Sequence, residues 1–201
     1  MIEESLRIRP RSEAEWLGPM ALGDFWGPER AGRRLEVDVG SGKGRFLLAR
    51  AGKAPETNFL GIDRMLRRIR KVDNRARRAD LGNIRLLRSE GYYAVTYLLP
   101  AGAVDEMYVF FPDPWPKARH EGNRLFNGKF LDAVWRSLKP GGGLHFATDH
   151  APYFEAVAEL LRADARFAET EAFVPAEDER TDFEMYYIQN KPIGRISLRR
   201  K

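Results

Sequence analysis

The feature that most constrains this chain is a glycine loop placed between a strand and a helix. Leu35-Glu-Val-Asp-Val39 reads as a short buried strand, and Gly40-Ser-Gly-Lys-Gly44 follows at once. Arg45-Phe-Leu-Leu-Ala-Arg50 then has helix-forming residues, with Gly52 and Pro55 ending the segment. A strand that turns through such a loop into a helix belongs in an open α/β sheet, where ligands bind at the carboxyl ends of strands. The unit repeats. Residues 58–63 read as a second strand, and the arginine-rich stretch to about residue 80 as a helix with Met65, Leu66, Ile69 and Val72 at helical spacing. Residues 84–87 and 103–111 read as the third and fourth strands. A helix over 126–138 closes at Lys139-Pro-Gly-Gly-Gly143, and residues 144–148 form a fifth strand. A helix over 153–163 and two late strands, 167–173 and 193–199, complete the series. This alternation predicts a mostly parallel sheet with helices on both faces. Residues 1–34, punctuated by Pro10, Gly18-Pro19 and Gly27-Pro28, read as an extended arm before one domain over 35–201.

Composition narrows the function classes. Four Trp, seven Tyr and twelve Phe within a hydrophobic share of 43% support a packed core, which excludes a wholly disordered chain. Charges interrupt every apolar run before the roughly 18–20 residues needed to cross a bilayer. Glu3, Glu4, Arg7 and Arg9 stand where a signal peptide would be apolar. The absence of cysteine removes disulfides, thiolate zinc sites and Cys nucleophiles together. His120, His145 and His150 are too few for most zinc sites, so no metal is expected. A cytoplasmic domain is the expectation, with monomer and homodimer both open.

The loop carries its own chemistry. A dinucleotide site needs G-x-G-x-x-G, but counting from Gly40 the sixth position is Arg45. The G-x-x-x-x-G-K-[ST] phosphate loop is absent. The pattern present, Asp38-x-Gly40-x-Gly42-x-Gly44, is similar to the first motif of S-adenosylmethionine-dependent methyltransferases. Asp38 makes sense there, because a carboxylate attracts an ammonium and a sulfonium but repels a pyrophosphate. Asp63 ends the second strand, where an acid can accept both ribose hydroxyls. Glu90 follows the third strand, where such folds hold the adenine edge.

Phe110-Phe-Pro-Asp-Pro-Trp-Pro-Lys117 is the most specific segment. Its prolines fix φ and cannot donate hydrogen bonds, so Asp113 and the face of Trp115 are presented rigidly beside the cofactor loop. With Asp38-Val-Gly-Ser-Gly-Lys-Gly44, Gly61-Ile-Asp63, Phe111-Pro-Asp-Pro-Trp-Pro-Lys-Ala-Arg-His120, Thr148-Asp149 and Thr181-Asp-Phe-Glu184, the chain closely resembles the bacterial tRNA (guanine-N7)-methyltransferase family over roughly residues 35–196. The resemblance implies a Rossmann-like class I fold with a seven-stranded sheet, S-adenosylmethionine as cofactor, and methylation of guanine 46 in the tRNA variable loop. It assigns Asp38, Gly40, Gly42, Gly44, Asp63 and Glu90 to the cofactor, and places Asp113 between cofactor and base as the catalytic candidate. Lys117, Asp149, Thr181, Asp182, Phe183 and Glu184 match substrate-binding positions, with Asp149 and Glu184 as candidates for the guanine N1–H and amino group. Arg119, His120 and Arg124 are the expected RNA contacts. Two departures stand out: Glu121-Gly-Asn-Arg124 follows His120 where the family usually has a basic cluster, and Met185-Tyr-Tyr187 follows Glu184 where it tends to have basic residues.

Charge distribution bears on the partner. Residues 64–88 hold ten basic residues against two acids, and residues 191–201 hold five basic residues and no acid. Residues 150–184 are acidic, with ten carboxylates against three arginines. Basic patches of this kind suit a polyanion such as tRNA. A small-molecule methyltransferase, one acting on a different RNA, and a non-catalytic RNA-binding paralogue are the alternatives.

Overall fold

The computed structural model describes residues 8–9, 18–115, 122, 124–187 and 191–201. In chain order the elements are β1 (Ile8–Arg9), α1 (Leu22–Trp26), β2 (Leu35–Val39), α2 (Arg45–Lys53), β3 (Asn58–Asp63), α3 (Leu66–Arg78) and β4 (Ile84–Arg88). There follow α4 (Gly91–Tyr93), β5 (Val104–Phe110), α5 (Gly128–Ser137), β6 (Leu138–Thr148), α6 (Ala151–Arg162), β7 (Phe167–Thr170), α7 (Asp182–Tyr186) and β8 (Gly194–Arg200). The sheet order is β1-β4-β3-β2-β5-β6-β8-β7. Seven strands make the expected sheet, and the two-residue β1 adds an edge beside Leu86 and Leu87. All pairs are parallel except those of β8, which runs antiparallel to both β6 and β7. From β2 the chain builds outward to β3 and β4, then returns to β5 on the opposite side. That reversal opens a crevice at the carboxyl ends of β2 and β5.

Local chemistry explains the helices. In α3, Ile69, Val72, Asp73 and Ala76 are buried at i, i+3, i+4 and i+7, which is one helical face. Ile69, Val72 and Ala76 pack with Leu47 and Ala51 of α2 and with Phe59, Ile84 and Leu86 of the sheet. Met65, expected to belong to that apolar face, is instead the extended residue before the helix and is 42% exposed. Asn127 caps α5 by accepting the Phe130 N–H at 3.0 Å.

Part of the stretch read as an extended arm is not extended. Leu22–Trp26 form a helix, and Met20, Phe25 and Trp26 are buried in the main core. Each apolar side chain so buried contributes about 1.5–3 kcal/mol, enough to hold this segment down. The turn expected at residues 139–143 is also different. Val104 faces Leu138 while Glu106 faces Gly143, so residues 139–142 bulge out of a continuous strand pairing.

A buried ionic network ties β2, β5, β6 and β8 together. Glu106 accepts from Arg34 Nη2 at 2.6 Å, from Arg199 Nη1 at 2.6 Å and lies 2.8 Å from His145 Nε2. His145 Nδ1 is 2.8 Å from Ser197 Oγ, which in turn accepts the Phe173 N–H. Burial pushes the Glu106 carboxyl up, but the His145 and Arg199 partners outweigh it and hold it at about 2. Gly143 leaves the room: a Cβ there would lie 2.0 Å from the Glu106 Oε2.

Candidate active site

The carboxyl ends of β2, β3, β4 and β5 converge on two adjoining clefts of about 370 Å³ and about 600 Å³. Gly40, Arg68, Phe110, Phe111 and Asp113 line both and form the partition between them. The glycine loop enters by two bonds, from the Gly40 and Ser41 N–H groups to the Ile62 carbonyl at 2.8 and 2.9 Å. Gly44 is required at the start of α2. Its φ is +77°, and a Cβ would lie 2.6 Å from a methyl of Val72. It lines neither cleft, so its role is to let α3 pack onto the loop.

Asp38, near the end of β2, is buried and lines the smaller cleft, and its carboxylate has no hydrogen-bond partner among the described residues. Burial and the nearby Asp63 charge push its carboxyl up to about 7. A buried, unpartnered carboxylate facing a cleft is a receptor for a cation. Asp63, at the end of β3, lines the larger cleft and organises its rim. Its Oδ1 accepts the Met65 N–H at 2.7 Å, and its Oδ2 accepts from Gly42 N at 3.1 Å and from Arg68 Nη1 at 3.3 Å. Glu90 also lines the larger cleft, and its Oε2 caps α4 by accepting the Tyr93 N–H at 2.9 Å.

Beyond β5 the chain turns through two strained residues, Phe111 with φ +52° and Trp115 with φ +44°. Asp113 stands between them, exposed and facing both clefts. Arg124, expected to contact RNA, is half-buried: its Nε donates to the Pro114 carbonyl at 3.0 Å and its guanidinium lies over the Tyr153 ring. It braces the proline turn. Lys117, Arg119 and His120 lie outside the described residues.

The segment after the acidic stretch splits in two. Thr181, Asp182 and Phe183 reach the smaller cleft, but Glu184 does not. Glu184 completes a capping box with Thr181, accepting its N–H at 2.9 Å, and its other oxygen pairs with Arg195. Asp149, just beyond β6, is half-buried and lines neither cleft. The guanine-edge positions expected for Asp149 and Glu184 are therefore not brought to the clefts. Sequence reasoning also missed Arg68, Lys43, Arg45 and Tyr187, which line the smaller cleft. For Arg68 the available signal was its place five residues after Asp63.

The family model Methyltransf_4, which describes methyltransferases, matches residues 33–190. A tRNA (guanine-N(7)-)-methyltransferase of Corynebacterium diphtheriae is 35% identical over 151 residues, 75% of this chain and 54% of that protein. One of Rubrobacter xylanophilus is 36% identical over 155 residues, 77% of this chain and 68% of that protein. The chain thus spans between about half and two thirds of the length of these curated relatives. A 16S rRNA (adenine(1408)-N(1))-methyltransferase variant of Catenulisporales acidiphilia, solved with its cosubstrate SAM, superposes with a TM-score of 0.63 at 21% identity, covering 92% of this chain and 96% of that one. The fold is the Rossmann-like fold of class I methyltransferases.

Proposed function

Because this chain belongs to the Methyltransf_4 family of methyltransferases, we propose that it transfers a methyl group from S-adenosylmethionine to N7 of a guanine in tRNA, guanine 46 of the variable loop. The observation that carries the reading is Asp38, an unpartnered buried carboxylate beside a glycine loop that has no phosphate-binding pattern. The residues present fit the cofactor: Asp38 and the Gly40–Gly42 backbone for its amino-acid end, Asp63 for the ribose hydroxyls and Glu90 for the adenine. When bound, this group supplies an electrophilic methyl on a sulfonium. Guanine N7 already has a free lone pair near neutrality, so no residue need act as general base. The task left to the protein is alignment and charge. Phe111 and Asp113 at the partition hold the base in line with the donor side. The Asp113 carboxylate favours the positive charge that develops on the base. Transfer of labelled methyl to unmodified tRNA, with guanosine nucleotides as competing small acceptors, tests the reading. Label in tRNA is expected; label confined to the small acceptors contradicts it.

Cofactor affinity is expected to rise with pH between about 5.5 and 7. Below 7 the Asp38 carboxyl is largely protonated in the free protein, so a cation must displace a proton to bind beside it. The limiting slope is about tenfold per pH unit, about 1.4 kcal/mol. Calorimetry in buffers of different ionisation enthalpy should record proton release over that range, and Asp38→Asn should flatten the profile.

The exposed face of α3 supports RNA as the partner. Arg67, Lys71 and Arg78 share the face opposite the buried one, with Arg70 beside them, spanning about 16 Å of helix. None of these four has an ion-pair partner among the described residues, whereas Arg77 is spent on Asp73 and Arg68 on Asp63. Replacing the four by Gln should flatten the dependence of log K for tRNA on log salt by about 3–4, since each phosphate contact contributes about 0.7–0.9. An unchanged slope would move the RNA path off this helix.

A further inference from the structure

The smaller cleft has an aromatic wall that cofactor binding leaves unused. Phe111 and Phe183 lie with ring centroids 5.1 Å apart at 34°, and Phe183 and Tyr187 lie 5.5 Å apart at 28°. All three rings line the cleft, and exposure rises outward along the run: Phe183 is 38% exposed and Tyr187 is 63% exposed. The support beneath them is rigid. The capping box fixes the start of α7, the Glu184–Arg195 pair anchors it to β8, and the Tyr187 N–H donates to the Phe183 carbonyl at 3.0 Å. A pre-set, nearly parallel ring pair with its outer member uncovered is built to receive a flat ligand.

We propose that Tyr187, backed by Phe183, is the stacking platform for the purine that receives the methyl group; this rests on the reading of the chain as a tRNA methyltransferase. Three observations select the occupant. The wall is continuous with the partition at Phe111 and Asp113, where the reacting atoms meet. Asp113 and Asp182 line the same cleft, so two carboxylates stand near a base that becomes cationic on N7-methylation. Lys43 and Arg45 on the loop side supply positive charge for the attached phosphate. The negative face of an aromatic ring attracts a cationic base more strongly than a neutral one. The platform therefore favours the product-like charge as well as holding the base.

The test uses the full chain loaded with S-adenosylhomocysteine, with guanosine monophosphate and 7-methylguanosine monophosphate as probes at pH 6.5. The wild-type protein is expected to bind the methylated nucleotide on the order of tenfold more tightly. Tyr187→Leu keeps an apolar cover over Phe183 but removes the π-face, and should bring the ratio close to one. It should also lower kcat/KM for tRNA on the order of tenfold, the scale of one lost base–aromatic stack, with cofactor affinity unchanged. Tyr187→Phe should restore both. A Tyr187→Leu protein that keeps the nucleotide ratio and kcat/KM overturns the platform, as does a wild-type ratio near one. A wild-type chain that moves no methyl group to tRNA overturns the underlying reading instead, and the nucleotide ratio, which needs no turnover, separates the two failures.

Discussion

Glu106→Gln is expected to destabilise the fold by about 3 kcal/mol or more. The side chain keeps its shape but loses the charge that Arg34, Arg199 and His145 converge on. Removing one partner of a buried ionic cluster leaves the others uncompensated, which typically costs about 3–5 kcal/mol. Arg34 and Arg199 are partly exposed, which places the effect at the lower end. For a chain of this size that corresponds to a fall in Tm of about 6–12 °C. The pH dependence has a definite sign. The folded carboxyl sits at about 2 and the unfolded one at its ordinary 4.5, so the charged network contributes fully above about 4.5. Its contribution is lost as pH falls towards 2. The gap between wild type and variant should therefore be widest above pH 5 and close on acidification. Equal melting temperatures at pH 7 would show that the network adds nothing to stability.

Asp63→Ala is expected to weaken S-adenosylmethionine binding by about hundredfold or more. Two losses combine. The ribose hydroxyls lose charge-assisted acceptors, each contributing about 1.5–3 kcal/mol. The loop also loses its organiser, because the same carboxylate accepts from Gly42 N and Met65 N and pairs with Arg68. A second signature accompanies the first. The Asp63 charge helps push the Asp38 carboxyl up, so its removal should shift the midpoint of the pH profile for binding below 7. Calorimetry from pH 5.5 to 7 reads both effects. Wild-type affinity with an unshifted midpoint would remove Asp63 from the cofactor site.

The parts of this site that were legible in the sequence are those written by local spacing. The acid and glycines from Asp38 to Gly42 sit within five residues, and the prolines restrict the Asp113 turn locally before Arg124 braces it. Strand ends follow from alternating strands and helices, so Asp63 and Glu90 fell beside the larger cleft as expected. What was not legible depends on partners far apart in the chain. Glu106 meets His145, Arg34 and Arg199 at separations of 39, 72 and 93 residues. Gly143 read as a helix stop, whereas its missing side chain makes space for that carboxylate. Glu184 sits in a substrate motif by position, yet its capping box and Arg195 draw it away from the cleft. Tyr187 stood out only as part of Met185-Tyr-Tyr187, a departure from basic residues that pointed to no cleft. Only the approach of α7 to the glycine loop places its ring in the cleft.

The central claim, methyl transfer to guanine N7 in tRNA, is tested most directly by the identity and position of the modified nucleoside. Unmodified tRNA is incubated with the protein and methyl-labelled S-adenosylmethionine, and part of the RNA is digested to nucleosides. The remainder is reduced with borohydride and treated with aniline, which cuts the chain where a 7-methylguanine stands. The account predicts that the label co-migrates with 7-methylguanosine and that scission falls at guanine 46 of the variable loop. Label in any other nucleoside, or intact RNA after aniline, would contradict it.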